Sequence, residues 1–293
     1  MLNKSQYCGI ILAGGTGSRL FPATRSINKH LLNIFDKPAI YYPISLMLHA
    51  GINDIAVICR PIDLELFQNL LGDGSKFGVE FTYLTQEKPG GIAEAYLIAE
   101  EFIRQRRSML VLGDNLLHGE NLSKKLKTAL ADNSTNFIIT YKVKDPKQYG
   151  VAELDNAGNV LSIEEKPLHP KSDHVVIGVY IFNESSYLVR KQKASQRGEL
   201  EITDLCELHR QRGCLKAVQL GRGYTWLDTG TAEDMLAASN YVHTIQNRQG
   251  YFIACLEEIA FRQGLLSDSQ VNNILKRSNK SVYDQYVKAI LSS

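Results

Sequence analysis

Gly9-Ile10-Ile11-Leu12-Ala13-Gly14-Gly15-Thr16-Gly17-Ser18-Arg19-Leu20 is the stretch whose reading decides the fold. An apolar run that stops at two glycines reads as a buried strand entering a tight turn. Gly14, Gly15 and Gly17 leave backbone N–H groups open to close approach, and Thr16 between them is small. Arg19 adds a fixed charge whose forked donors suit phosphate. Two common glycine loops do not fit. G-x-G-x-x-G needs glycine where Leu20 stands, and the G-x-x-x-x-G-K loop needs lysine where Ser18 follows Gly17. The stretch predicts a strand and a loop that grips nucleotide phosphates. The competing reading is a strand-to-helix turn without a ligand.

Further along, Ile55–Cys59, Val79–Leu84, Met109–Leu112 and Phe137–Val143 are short strand-like runs. Ile92, Ala95, Tyr96, Ala99, Phe102 and Ile103 follow helical spacing. Strands alternating with helices predict an α/β fold with a mostly parallel sheet covered on both faces. Ligands in such sheets bind beyond the carboxyl ends of the strands, where the glycine loop and Asp114 both fall. From Tyr149 the pattern changes. Gly150–Leu154, a polar turn at 155–159 and Val160–Ile163 predict a hairpin, and Val175–Phe182 another strand. These predict an antiparallel insertion over the working edge of the sheet, at about 145–225 within a core of residues 1–250. Residues 231–249 read as a helix, and residues 251–293 as a tail of short helices.

Composition narrows the function classes. With 293 residues, 44% hydrophobic and 22% charged, the chain is an ordinary globular sequence. A net charge of +2 gives no global field for nucleic acid. No apolar run approaches a membrane span, and residues 1–6 lack a secretory core. Cys8, Cys59, Cys206, Cys214 and Cys255 are scattered without metal-ligand spacing, which predicts reduced thiols in the cytoplasm. No nucleophile elbow and no H-x-x-x-H spacing occur. The chemistry then reduces to positioning and charge neutralisation. Asp114, in Leu112-Gly113-Asp114-Asn115, and Asp228, in Trp226-Leu227-Asp228-Thr229-Gly230, could close one Mg²⁺ site beside a phosphate loop. Each alone reads as a turn or capping residue.

The ordered set Gly14–Leu20, Asp36-Lys37-Pro38-Ala39-Ile40-Tyr41-Tyr42-Pro43, Leu112–Asn115, Tyr149-Gly150-Val151, Glu164-Glu165-Lys166-Pro167, Arg197–Asp204 and Trp226–Gly230 resembles the sugar-phosphate nucleotidyltransferases of the short, rhamnose-pathway type. The likeness runs from about Cys8 to the C-terminus and includes Ala254–Ala260. It implies a Rossmann-like sheet flanked by helices, a sugar-binding insertion and a helical appendage. It also implies a Mg²⁺-dependent reaction of dTTP with α-D-glucose 1-phosphate, giving dTDP-glucose and pyrophosphate for dTDP-rhamnose, O-antigen or related deoxysugar synthesis.

By the same resemblance, Leu12, Gly14, Gly15, Thr16, Gly17, Arg19, Gln86, Gly91 and Asp114 bind the nucleotide, with Gln86 and Gly91 facing the base. Asn115, Gly150, Glu165, Lys166, Val176 and Tyr180 line the sugar-phosphate pocket. Arg19, Lys29, Asp114 and Lys166 are the catalytic set, and Asp114 and Asp228 hold the metal. The family's tail forms a second, regulatory nucleotide site in a homotetramer, a dimer of dimers, matched here by Gly119, Cys255, Glu258, Ile259 and Arg262. The chain departs from the family pattern at His30, Asn33, Gly90, Glu94, Ile177 and His118. Another nucleoside triphosphate, another hexose 1-phosphate and a non-catalytic regulatory homologue are the alternatives. A dinucleotide-dependent oxidoreductase fails on the glycine spacing.

Overall fold

A computed structural model describes residues 6–183, 185–277 and 280–292. Strand β1 (Tyr7–Ala13) lies at the centre. A small two-stranded ribbon, β2 (Asn33–Ile34) and β3 (Lys37–Pro38), follows the glycine loop. Then come β4 (Asp54–Cys59), β5 (Glu80–Thr85) and β6 (Arg107–Leu112). β4 and β6 flank β1 in parallel, and β5 runs parallel to β4. This is the parallel core that the alternating pattern predicts.

The next strand, β7 (Asn115–Gly119), leaves the main sheet, and β8 (Asn136–Lys142) returns to it. β9 (Gly150–Leu154) and β10 (Val160–Glu165) form the predicted hairpin. β11 (His174–Phe182) binds them to the core. One of its edges pairs with β9 at Val175 and with β6 at Val179–Phe182, and its other edge pairs with β8. The insertion therefore extends the sheet in its own plane rather than lying over its edge. β12 (Leu215–Leu220) runs parallel to β8, and β13 (Tyr224–Asp228) pairs antiparallel with β7. Among the described residues, nine strands share the main sheet.

Strand alternation sorts the core into two layers. Ile11, Val57, Val111, Ile177 and Val179 face one layer, covered by helices Tyr41–Ala50, Leu64–Leu71 and Leu122–Ala131. Ile10, Ile58, Leu110, Tyr180 and Phe182 face the other, under helices Ala95–Ile98 and Ile202–Gln211. Burying each such side chain contributes about 1.5–3 kcal/mol. The helical spacing at 92–103 resolves into two short helices, Ala95–Ile98 and Glu100–Ile103, joined at Ala99. Helix Tyr41–Ala50 ends in a Schellman turn, with the Gly51 N–H on Leu48 O and the Ile52 N–H on Met47 O. Helix Ala232–Gln249 opens on a capping box of Thr231 and Asp234.

Helices Leu256–Arg262, Asp268–Leu275 and Val282–Leu291 form the tail, which has a small core of Cys255, Ile274, Val287 and Leu291. Among the described residues, no helix is long and apolar enough to cross a membrane. All five cysteines are free.

Candidate active site

The site grows from the ends of β1, β5, β6 and β10. β1 delivers Gly14 and Gly15, and the absence of side chains there has a measurable reason. A Cβ on Gly14 would lie 2.6 Å from Gln86 Oε1, and one on Gly15 would lie 3.2 Å from Lys29 Cε. Gly17 holds φ +65°, a left-handed turn closed by the Thr24 hydroxyl donating to its carbonyl at 2.8 Å. Arg19, one residue beyond Ser18, packs its guanidinium against Gly230 across the cleft.

Lys29 donates to Asp114 in a half-buried ion pair. Burial alone would raise the Asp114 carboxyl. The Lys29 charge and hydrogen bond outweigh it and hold the group below its ordinary value. Behind Lys29 sits a network absent from the predicted site. Asn28, buried, donates to Ala13 O at 3.1 Å and to Asp63 Oδ2 at 2.7 Å. Its Oδ1 lies 2.7 Å from His30 Nδ1. Burial first, then the Lys29 charge, push His30 down to about 3, so its ring is neutral. His30 therefore braces the lysine turn from within. Asn33 lies exposed on the small ribbon.

Asp228 arrives from 114 residues further along. β13 pairs with β7 so that Asp228 stands opposite Asn115, and Thr229 donates both its N–H and its hydroxyl to Asp114 O. Burial, then the Asp114 and Asp234 charges, raise the Asp228 carboxyl above its ordinary value. Two carboxylates in mutual repulsion beside a cleft form an all-oxygen donor set suited to a hard divalent cation. Among the described residues there is no cluster of three or more such acidic, His or Cys ligands, so substrate oxygens and water would complete the shell.

The insertion supplies the far wall. Glu165 ends β10, and its carboxyl is raised by burial, with Glu201 adding to the rise and Lys166 and Arg197 opposing it. Lys166 follows with φ +43°, a left-handed backbone uncommon for a residue with a side chain. Such strain persists where the surroundings over-determine the conformation. Its ammonium lies 3.7 Å from Glu165 Oε1 and stays half exposed. Val176, Gly178 and Tyr180 share one face of β11, where its pairing with β8 is irregular. Gly178 leaves room for Asn115, whose Oδ1 accepts from Trp226 Nε1. Ile177 points the other way, into the hydrophobic layer with Ile11 and Val111. That departure from the family pattern therefore does not reach the cleft, because successive strand residues face opposite sides.

A cavity of about 250 Å³ brings part of the expected set together, while Leu12, Gly14, Gly15, Thr16, Gly17 and Lys29 stand outside its lining. Arg19, Asp114, Asn115, Gly150, Glu165, Lys166, Val176, Tyr180 and Asp228 all line it. Gln148, Tyr149, Ile202, Thr203 and Trp226, none of them an expected site residue, line it too. Thr203 is telling, because its buried hydroxyl has no partner among the described residues. Its motif, Arg197–Asp204, was the available signal. Gln86 and Gly91 do not line this cavity and lie beside the glycine loop and the Leu200 segment. Gly91 has φ +97°, and a Cβ there would strike Leu200 backbone at 2.3 Å. Leu200 N–H donates to Gly90 O, so the Arg197–Asp204 motif clamps the glycine pair.

The tail residues gather elsewhere. Cys255 and Ile259 are buried, and Glu258 pairs with Arg262 at 2.8 Å and accepts from Tyr286 at 2.6 Å. A second cavity of about 170 Å³ includes Gly119, His118 and His49 but not Cys255, Glu258, Ile259 or Arg262. His118 is held between Tyr241 at 2.7 Å and Tyr251 at 2.8 Å.

Residues 8–245 match the family model "Nucleotidyl transferase". A glucose-1-phosphate thymidylyltransferase of Neisseria gonorrhoeae is 49% identical over 280 residues, covering 95% of this chain and 97% of the relative. The Mycobacterium tuberculosis enzyme of the same name is 42% identical, with 97% and 98% covered. A solved structure of UDP-glucose pyrophosphorylase in complex with UDP-glucose superposes with a TM-score of 0.71 at 25% identity, covering 81% of this chain and 98% of that one.

Proposed function

This chain belongs to the nucleotidyl transferase family, and on that premise we propose that it makes dTDP-glucose and pyrophosphate from dTTP and α-D-glucose 1-phosphate. The observation that carries the reading is one cavity lined by both halves of the required charge: Arg19, Asp114 and Asp228 on one side, Glu165 and Lys166 on the other. A reaction between two polyanions needs cations placed at both and carboxylates to hold a metal.

In this reading the Gly14–Gly17 amides and Leu12 border the triphosphate. Arg19 and Lys29 neutralise it and the departing pyrophosphate. Lys166 holds the sugar phosphate, and Glu165 accepts from sugar hydroxyls. Asn115, Gly150, Val176 and Tyr180 wall the sugar. A phosphate oxygen of the sugar forms the new bond to the α-phosphorus in line. The bond to the bridging oxygen breaks, and pyrophosphate leaves with that electron pair. The family works with a divalent metal. Mg²⁺, held by Asp114 and Asp228, would neutralise phosphate charge when bound. Lys29 would then exchange part of its hold on Asp114 for the incoming phosphates.

The proposal extends to a cytoplasmic enzyme supplying dTDP-deoxysugar synthesis such as dTDP-rhamnose. It assembles as a homotetramer, with a regulatory nucleotide site at Gly119 and the tail residues Cys255, Glu258, Ile259 and Arg262. What supports it is a separate cavity at Gly119, Ile253 and Ala254, next in sequence to Cys255 although the four tail residues do not line it. The main test incubates the protein with each nucleoside triphosphate, several hexose 1-phosphates and Mg²⁺ while pyrophosphate is measured. Fastest release with dTTP and glucose 1-phosphate is expected. Release with no pair would overturn the reading.

A further inference from the structure

We infer that Glu94 is a positioning residue that locks the side-chain amide of Gln86, so that the base pocket requires a ring N–H donor. The inference rests on the proposed reading in which Gln86 faces the base. Gln86 follows β5, beyond the carboxyl end of the parallel sheet, and touches the glycine loop at Gly14. Its Nε2 donates to Glu94 Oε2 at 2.6 Å and points at the Gly91 carbonyl at 3.4 Å. Both neighbours are acceptors. A carboxylate has no proton to offer, so turning the amide over would set two oxygens against each other. Oε1 must therefore face Gly14, where a Cβ would lie 2.6 Å from it. No donor among the described residues is bonded to Oε1.

Gly90 belongs to the same device. A Cβ on Gly90 would come within 2.3 Å of the Glu94 carboxylate, so the glycine makes room for the lock. Two departures from the family pattern, Gly90 and Glu94, thus share one physical cause. The ligand class follows from hydrogen-bond chemistry. Uracil and thymine carry an N–H at N3, whereas cytosine has a bare lone pair there. A fixed acceptor pairs with the first and repels the second. A glutamine at 94 could donate or accept, and both amides could then turn over together.

The test measures pyrophosphate release by the full chain with glucose 1-phosphate, Mg²⁺ and UTP, dTTP, CTP or N3-methyl-UTP. The wild type should prefer UTP over CTP by on the order of 1,000-fold in kcat/KM, with N3-methyl-UTP as poor as CTP. Glu94→Gln should narrow the UTP/CTP ratio by about tenfold or more, through KM for CTP rather than kcat. Gly90→Ala, which displaces the carboxylate, should narrow it in the same direction. An unchanged ratio in both variants, while Gln86→Leu collapses it, overturns the lock and leaves the base reading standing. A ratio that even Gln86→Leu leaves unmoved removes Gln86 from the base, and the inference falls with that reading.

Discussion

Lys166 and Lys37 are both lysines in motifs of the same family, yet the molecule treats them oppositely. Lys37 is buried, paired with Asp36, 3.2 Å from Gln246 Oε1, and within 6 Å of the ring centres of Tyr42, Phe252 and Tyr283. These partners enclose its ammonium and tie the small ribbon to the tail. Lys166 stands half exposed on a left-handed backbone, 3.7 Å from a carboxylate whose own charge burial disfavours. A charge whose partners are complete holds structure. A charge left open at a cavity is available to a ligand.

The sharpest way to break that contrast is Asp114→Asn. It retains an acceptor for Lys29 and removes the charge, so turnover should fall roughly 1,000-fold with folding intact. Near-normal pyrophosphate release would take Asp114 out of the site. Next, Lys166→Ala should raise KM for the sugar phosphate about 10- to 100-fold and leave KM for the nucleotide nearly unchanged, and equal rises would dissolve the division of the cavity. On the structural side, Lys37→Met should lower stability in urea by about 2–4 kcal/mol, since it strands Asp36 beside an aromatic cage. Little effect on stability would make the two lysines alike.

The mildest effect concerns pH. His30 and His209 are buried and His49 is partly buried, and desolvation lowers them to about 3, 4 and 4, in the order His30, His209, His49. The unfolded chain binds their protons below its ordinary histidine value while the folded chain does not. Stability should therefore fall as pH drops from about 6.5 towards 4, read as a declining urea midpoint. A flat midpoint over that window would show these rings protonating in place.

Much of this was legible in the chain. The apolar run before Gly14 and the short runs at 55–59 and 109–112 are the parallel core, because strands buried on both faces must be continuously apolar. Asp114 was legible as a carboxylate at a strand end, whereas Lys166 stood out only through the family resemblance. Local patterns missed three features. The helical spacing at 92–103 hides a break at Ala99, and the insertion joins the sheet through β11. The brace of Asn28, His30 and Asp63 spans residues too far apart for a local signal.

The sequence by itself determined the alternation of strands and helices, the glycine loop and the kinds of charge near it, since these follow from short-range periodicity and side-chain chemistry. Only the tertiary structure decided which charges meet. The β7–β13 ladder sets Asp228 against Asp114, the Leu200 contact closes Gly90 and Gly91, and Glu94 turns on Gln86. Each is a contact that exists only once the backbone between the partners has been fixed, and no local stretch encodes it.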